Sequence, residues 1–136
     1  MKLLKYDIQS TKHQEFINVS SYIKSAVKDT GLINGKVTLF CPHTTAGLTI
    51  NENADPDVVS DMIRALDKVF PIIGDYDHYE GNSHAHLKSS FVGVDQMVII
   101  QNRKPILGTW QSVYFCEFDG PRKRQLIITT EGIFDE

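Results

Sequence analysis

The chain has 136 residues, 41% hydrophobic and 23% charged, which suits a single soluble domain (1–136) with a real core. Its net charge of −3 speaks against bulk nucleic-acid binding, and no stretch nears the ~18 apolar residues of a membrane span. Two cysteines, Cys41 and Cys116, form neither a disulfide framework nor a zinc knuckle, and the first ten residues are too polar for a signal peptide. A reduced, cytoplasmic setting is expected, with no nucleic-acid or membrane partner.

In chain order, Leu4, Tyr6 and Ile8 alternate with polar residues and predict a first strand. A short strand at Glu15–Asn18 follows, then a helix over 19–30 with Asn18 at its start and Gly31 at its end. "KVTLFC" puts Val37, Leu39 and Cys41 on one strand face, and "GLTINE" resumes as strand after "PHTTAG". Asp55 followed by Pro56 marks the start of a second helix, whose stripe is Val59, Met62, Ile63, Leu66, Val69 and Phe70, and Pro71 ends it.

Residues 71–88 show no period and read as a long loop. Strands are expected near 89–92, 97–101, 109–118 and 124–130. The third of these carries large residues on both faces, so it is buried on both sides or lies at a subunit interface; Trp110 could line a pocket or an interface, with the core as its default place. "DGPRK" reads as the hairpin turn between the last two strands. Two helices among seven or eight strands imply an α+β fold with mainly antiparallel sheet.

Three of five histidines fall within nine residues: His78, His84 and His86. On an extended backbone His84 and His86 leave the same face, and His43 or His78 could complete a metal site, with Asp75 and Asp77 nearby. The pattern is as compatible with a solvated polar loop. Thr44, Thr45 and Gly47 can offer hydroxyls and amides to an anion, or form an ordinary turn. Glu52 is a candidate base, metal ligand or surface acid. Cys41 two residues before His43 suggests a nucleophile, against the usual burial of free cysteine. Arg122, Lys123 and Arg124 suit phosphate recognition or a solvated turn.

Together, "HTTAGLTINENADPDV", "DHYEGNSHAHLKSS", "LGTWQSVYFCEFDGPRKR" and "TTEG" resemble the YjbQ-like proteins from about Tyr6 to Gly132. The resemblance implies an α+β, mainly antiparallel β-sandwich with two principal helices, assembled as a homotrimer with sites near subunit boundaries. It also implies a weak, secondary thiamine-phosphate synthase activity. Its polar motif positions are His43, Thr44, Asn51, Glu52, Asp55, His78, His86, Lys88, Gln111 and Arg122 here. His84 and Cys41 fall where the family tolerates other residues, which favours His43, His78 and His86 as the metal set.

The leading expectation is an enzyme acting on a phosphorylated small molecule. Glu52, His43 and Gln111 are its catalytic candidates, and Thr44, Thr45, Lys88 and Arg122 its phosphate-binding candidates. A divalent metal is expected at the histidines, zinc or another transition metal, or magnesium for the synthase reaction. The alternatives are a metal-dependent hydrolase with a three-histidine site and a non-catalytic trimeric metabolite-binding protein.

Overall fold

A computed structural model describes all residues, 1–136. Eight strands and three helices run in the order β1 (Lys2–Gln9), β2 (Glu15–Asn18), α1 (Ser20–Thr30), β3 (Leu32–Phe40), β4 (Ala46–Glu52), α2 (Pro56–Val69), α3 (Ser83–Val92), β5 (Asp95–Gln101), β6 (Lys104–Ile106), β7 (Gln111–Glu117) and β8 (Lys123–Phe134). The strands form a five-stranded sheet, β1-β8-β3-β5-β6, and a three-stranded sheet, β2-β7-β4. Every pairing is antiparallel. The expected α+β fold is therefore what the chain adopts.

β7 explains the layering. Val113 and Phe115 join the main core, where Val37, Leu39, Leu126 and Ile128 come from the larger sheet and Ile23 and Val27 from α1. Tyr114, Cys116 and Phe118 leave the opposite face and pack with Phe16, Ala85, Val59 and Leu66, beneath α2 and α3. A strand buried on both faces must be apolar on both, and this is the pattern read in the sequence. The outer face of the five-stranded sheet carries no helix and exposes Leu3, Phe40, Met97, Ile99 and Ile106.

Among the loops that pass from one sheet to the other, 10–14, 41–45 and 118–122 meet at the Glu117 end of β7, and 107–110 crosses at its other end. "DGPRK" is thus not a hairpin turn, because β7 and β8 belong to different sheets. Glycine and proline signal a change of direction, but not which sheet receives the chain. Close backbone approach fixes two further points. A Cβ on Gly35 would sit 1.9 Å from the Glu131 carbonyl oxygen, and one on Gly47 would sit 2.7 Å from that of Gly93.

Two of the three expected caps follow the sequence; α1 is instead preceded by Val19 at its N-cap, with Asn18 one residue earlier accepting the Ser20 N–H at 3.0 Å. Asp55 accepts the N–H of Asp57 at 2.9 Å, with Pro56 opening α2, and Gly31 closes α1 in the left-handed conformation. Two further expectations fail. The aperiodic loop ends at Asn82, and both its last residues and the strand expected at 89–92 belong to α3. Trp110 is 62% exposed rather than in the core.

α3 was invisible because its inward face is polar. Lys88 is fully buried, and its ammonium donates to His84 Nδ1 at 2.8 Å, to Gln14 Oε1 at 3.0 Å and to Asp67 Oδ1. Lys88 thereby ties α3 to α2 and to the β1–β2 connection. Removing its charge while leaving Asp67 and His84 in place strands polar groups. Lys88→Met is expected to cost about 2–3 kcal/mol in urea unfolding, below a fully buried pair because Asp67 is partly hydrated. Burial, the Lys88 charge and the His13 charge hold His84 below its ordinary pKa, so the unfolded chain takes the proton first on acidification. Stability is therefore fully present above about pH 6.5 and falls as pH drops through the lower folded value. A smaller acid slope in His84→Gln would confirm the source.

Candidate functional site at the sheet crossings

Where the chain changes sheets, its backbone leaves both ladders and needs other partners. Arg124 and Glu117 supply them, and both are almost fully buried. Arg124 Nε donates to Glu117 Oε1 at 2.9 Å, and its Nη2 donates to Glu117 Oε2, to Thr45 Oγ1 at 2.9 Å and to the Thr45 carbonyl at 3.3 Å. Ser10 completes the cluster, donating its hydroxyl to Glu117 Oε1 at 2.6 Å and accepting the Arg122 N–H at 2.8 Å. Burial works to raise the Glu117 pKa, but the bonds from Arg124, Ser10 and the Asp119 N–H outweigh it and lower it.

On this base stands His43. Its Nε2 accepts the backbone N–H of Gln125 at 2.9 Å. A backbone N–H can only donate, so Nε2 is unprotonated and the neutral ring carries its proton on Nδ1. Burial first, then the Arg124 charge, depress the His43 pKa against a smaller opposing pull from Glu117. At neutral pH His43 is an uncharged Nδ1–H donor. Thr44 beside it is exposed.

Three adjoining hollows open here, and His86 lines them all. One of about 460 Å³ includes His43, Thr44 and Ser89, and one of about 350 Å³ includes His43, Thr44, Glu80, Asn82 and Arg122. The third, about 480 Å³, includes Asp75, Asp77, His78 and Ser83. Arg122 is half exposed and held in place, its Nε donating to the Asp119 carbonyl at 2.7 Å and Nη2 to Asp119 Oδ2 at 2.9 Å. Asn82 Nδ2 donates to the same carboxylate at 2.9 Å. Burial opposes ionisation of Asp119, but these two bonds and the Arg122 charge prevail and lower its pKa.

The sequence candidates therefore divide. His43, Thr44, Arg122, His78 and His86 come together along this groove. His84 does not: on a helix, neighbours two apart diverge, so His84 points inward to Lys88 while His86 faces the groove. The extended-backbone reading of this pair is corrected by α3. Lys88 leaves the phosphate set, since it is fully buried and all three of its N–H bonds are used. Thr45 leaves it as well, its hydroxyl engaged by Arg124.

Glu52 and Gln111 are partners at the far end of the β4–β7 ladder, six positions from the Ala46–Glu117 pair. That is roughly 20 Å at strand spacing, so one chain does not bring them to His43. Cys41 is 1% exposed and burial pushes its thiol pKa up to about 11, which removes the nucleophile reading.

His78 and His86 stack edge to face at 5.3 Å between ring centroids. Even so, no group of three or more His, Cys, Asp or Glu side chains in the chain is arranged to hold a metal ion. His43 has already committed Nε2 to Gln125 and its other nitrogen bears a proton. The three-histidine set does not fit a metal in this arrangement. Sequence reasoning missed Glu117, Asp119 and Arg124 as builders of the site. A carboxylate inside a strand apolar on both faces was the available signal, because a buried charge requires a partner.

Fold and groove define a small two-sheet α+β protein with hydrogen-bond donors gathered at its sheet crossings. A family profile described as "UPF0047 protein YjbQ-like" matches residues 4–133, and the chain belongs to that family. It is 52% identical over 126 residues to the UPF0047 protein YugU of Bacillus subtilis, covering 92% of this chain and 96% of the other. A UPF0047 protein of Methanocaldococcus jannaschii is 47% identical over 96% of this chain and 94% of its own. Among solved structures, an uncharacterised conserved protein of this family from Clostridium acetobutylicum superposes with a TM-score of 0.91 at 52% identity, covering 93% and 98% of the two chains. A hypothetical protein from Aeropyrum pernix gives 0.92 at 27% identity, covering 98% and 100%. No helix is long and apolar enough to cross a membrane.

Two measurements check this geometry. Long-range proton–nitrogen NMR should show His43 neutral and protonated at Nδ1 at pH 7, and an Nε2–H tautomer would contradict the bond to Gln125. Glu117→Gln should cost about 3 kcal/mol of unfolding free energy, because Arg124 stays buried with a neutral partner.

Proposed function

We propose that the groove binds the phosphate of a small phosphorylated metabolite and supports slow chemistry on it, with thiamine-phosphate synthesis a weak, secondary activity. One observation carries this reading: His43, Thr44 and Arg122 line one hollow together with Asn82 and His86 at the start of α3. Neutral and charged donors gathered at a helix N-terminus are what phosphate oxygens require. For the synthase reaction, the departing diphosphate needs positive charge and donors as its bond to the pyrimidine methylene breaks. Arg122 supplies the charge, and His43 and Thr44 supply the donors.

Enzymatic use of Glu52 and Gln111 needs a second copy of the chain. The helix-free apolar face of the five-stranded sheet supports association, and this reading requires an assembly, such as a homotrimer, in which a neighbour's β4–β7 end lies near each groove. In this reading Glu52 acts as base and Gln111 orients the substrate from across the boundary. If they do not reach the groove, the protein is a metabolite-binding module rather than a catalyst.

The test is synthase turnover by purified protein, with binding of the thiazole phosphate measured in parallel. Arg122→Ala and His43→Ala should each lower kcat/KM by about 10²-fold, the usual loss on removing one such donor. Undiminished turnover in both would end the proposal. Mixing His43→Ala with Glu52→Gln chains should restore about a quarter of wild-type activity if sites are shared between copies, and none if they are not. Turnover should survive transition-metal chelators, and its loss would instead favour a hydrolase-type metal site built on His78 and His86.

A further inference from the structure

The largest cavity, about 720 Å³, lies at the opposite end of β3 from the groove. It is formed by Lys24, Val27 and Lys28 of α1, by Arg103, Lys104 and Pro105 around the β5–β6 turn, and by Asp135. Lys24 and Lys28 are one helical turn apart and so share a face. Four cations thus meet one carboxylate in a chain whose net charge is −3. Arg103 engages that carboxylate, with Nη1 2.7 Å from Asp135 Oδ2. Lys24, Lys28 and Lys104 take part in none of the chain's ion pairs or side-chain hydrogen bonds, although they line the same cleft.

The turn itself gives an independent indication. Gln101 pairs with Lys104, so Asn102 and Arg103 form a two-residue hairpin turn, and both have positive φ, 51° and 65°. Such a turn favours Asn-Gly, because glycine takes the second position without steric cost. Here an arginine occupies it. The Arg103 N–H donates to the Ile33 carbonyl at 2.9 Å, and the Asn102 N–H donates to Asn34 Oδ1 at 2.9 Å, so the strained backbone is held on both sides. The sequence accepts a less favourable turn and places a guanidinium at the mouth of a lysine-lined cleft.

We propose that this cleft binds a small oligophosphate, an anion with three or more negative charges in a row. Its volume is in the range of small-molecule sites and larger than one phosphate group fills. Three unpaired ammonium groups on two elements suit a chain of phosphates better than a single one. No aromatic ring lines the cleft, so the phosphate chain is recognised and an attached base adds little. This site is separate from the groove and stands whether or not the groove binds a metabolite.

Isothermal titration of Arg122→Ala protein with tripolyphosphate at low salt isolates the cleft from the groove. One tripolyphosphate should bind per chain, and Lys24→Ala, Lys28→Ala and Lys104→Ala combined should weaken it at least tenfold. These side chains are exposed, and an unchanged circular dichroism melt, or the same loss in the Lys→Gln triple variant, shows that the fold is intact. A control pair on the open sheet, Lys5→Ala and Lys36→Ala, should leave binding unchanged. Orthophosphate should bind at least tenfold more weakly, and a nucleoside triphosphate about as well as tripolyphosphate. No binding at millimolar tripolyphosphate, an unaffected lysine triple variant, or equal loss in the control pair would overturn the proposal. So would orthophosphate binding as tightly, or a nucleoside triphosphate binding more than tenfold tighter.

Discussion

The buried pair of Arg124 and Glu117 holds the two sheets together at the end where the chain changes between them. Arg124 opens β8 in the five-stranded sheet and Glu117 closes β7 in the three-stranded one. The crossings at 10–14, 41–45 and 118–122 lean on the pair or on its immediate partners. Ser10 reaches Glu117, Thr45 takes two bonds from Arg124, and the Asp119 N–H donates to Glu117 Oε2 at 3.1 Å. A purely apolar corner would leave the Asp119 N–H without this partner and the Thr45 carbonyl with the Phe118 N–H alone. Two buried charges cost desolvation, and their bidentate contact plus four further hydrogen bonds offset it.

The same pair sets the character of the groove. It fixes the 41–45 connection against the start of β8, which brings the Gln125 N–H to His43 Nε2. One backbone hydrogen bond then decides the tautomer, and the tautomer decides the chemistry. With Nε2 occupied and Nδ1 protonated, the ring donates, and it neither ligates a metal nor removes a proton. Burial, and after it the Arg124 charge, keeps the ring neutral near pH 7. A residue type that suggests a metal or a base is thus turned by its surroundings into a neutral hydrogen-bond donor.

Much of the fold was legible because it obeys simple periods. The alternation in β1 and the double-sided apolar β7 were plain, as was the Asp55–Pro56 start of α2. α3 was hidden for a physical reason: its buried face is His84, Ala85, Lys88 and Ser89, and no hydrophobic period marks it. That helix also reverses the meaning of the histidine pair, since a spacing of two joins side chains on a strand and separates them on a helix. At the site, His43, Thr44 and Arg122 could be named from their types and motif positions. Lys88 and Thr45 could not be told apart from them, because whether a lysine or threonine faces a ligand or a buried partner depends on contacts distant in sequence. Lys88 bonds Gln14, 74 residues away, and Thr45 bonds Arg124, 79 residues away.

The separation of Glu52 and Gln111 from the groove bears on what one chain can do. The two sit as register partners at the end of a ladder whose other end touches the Arg124–Glu117 pair. Rigid strands cannot fold back over that length, so no side-chain rearrangement within the chain closes the gap. Either these residues serve a neighbouring copy or they serve nothing at the groove. The apolar outer sheet makes the first branch physically reasonable, because Leu3, Met97, Ile99 and Ile106 form exposed surface that association would remove from water. In the proposed function, phosphate binding would use the donors gathered in one chain, whereas catalysis would use groups that one chain keeps apart. A shared site would therefore make chemistry, but not binding, depend on assembly.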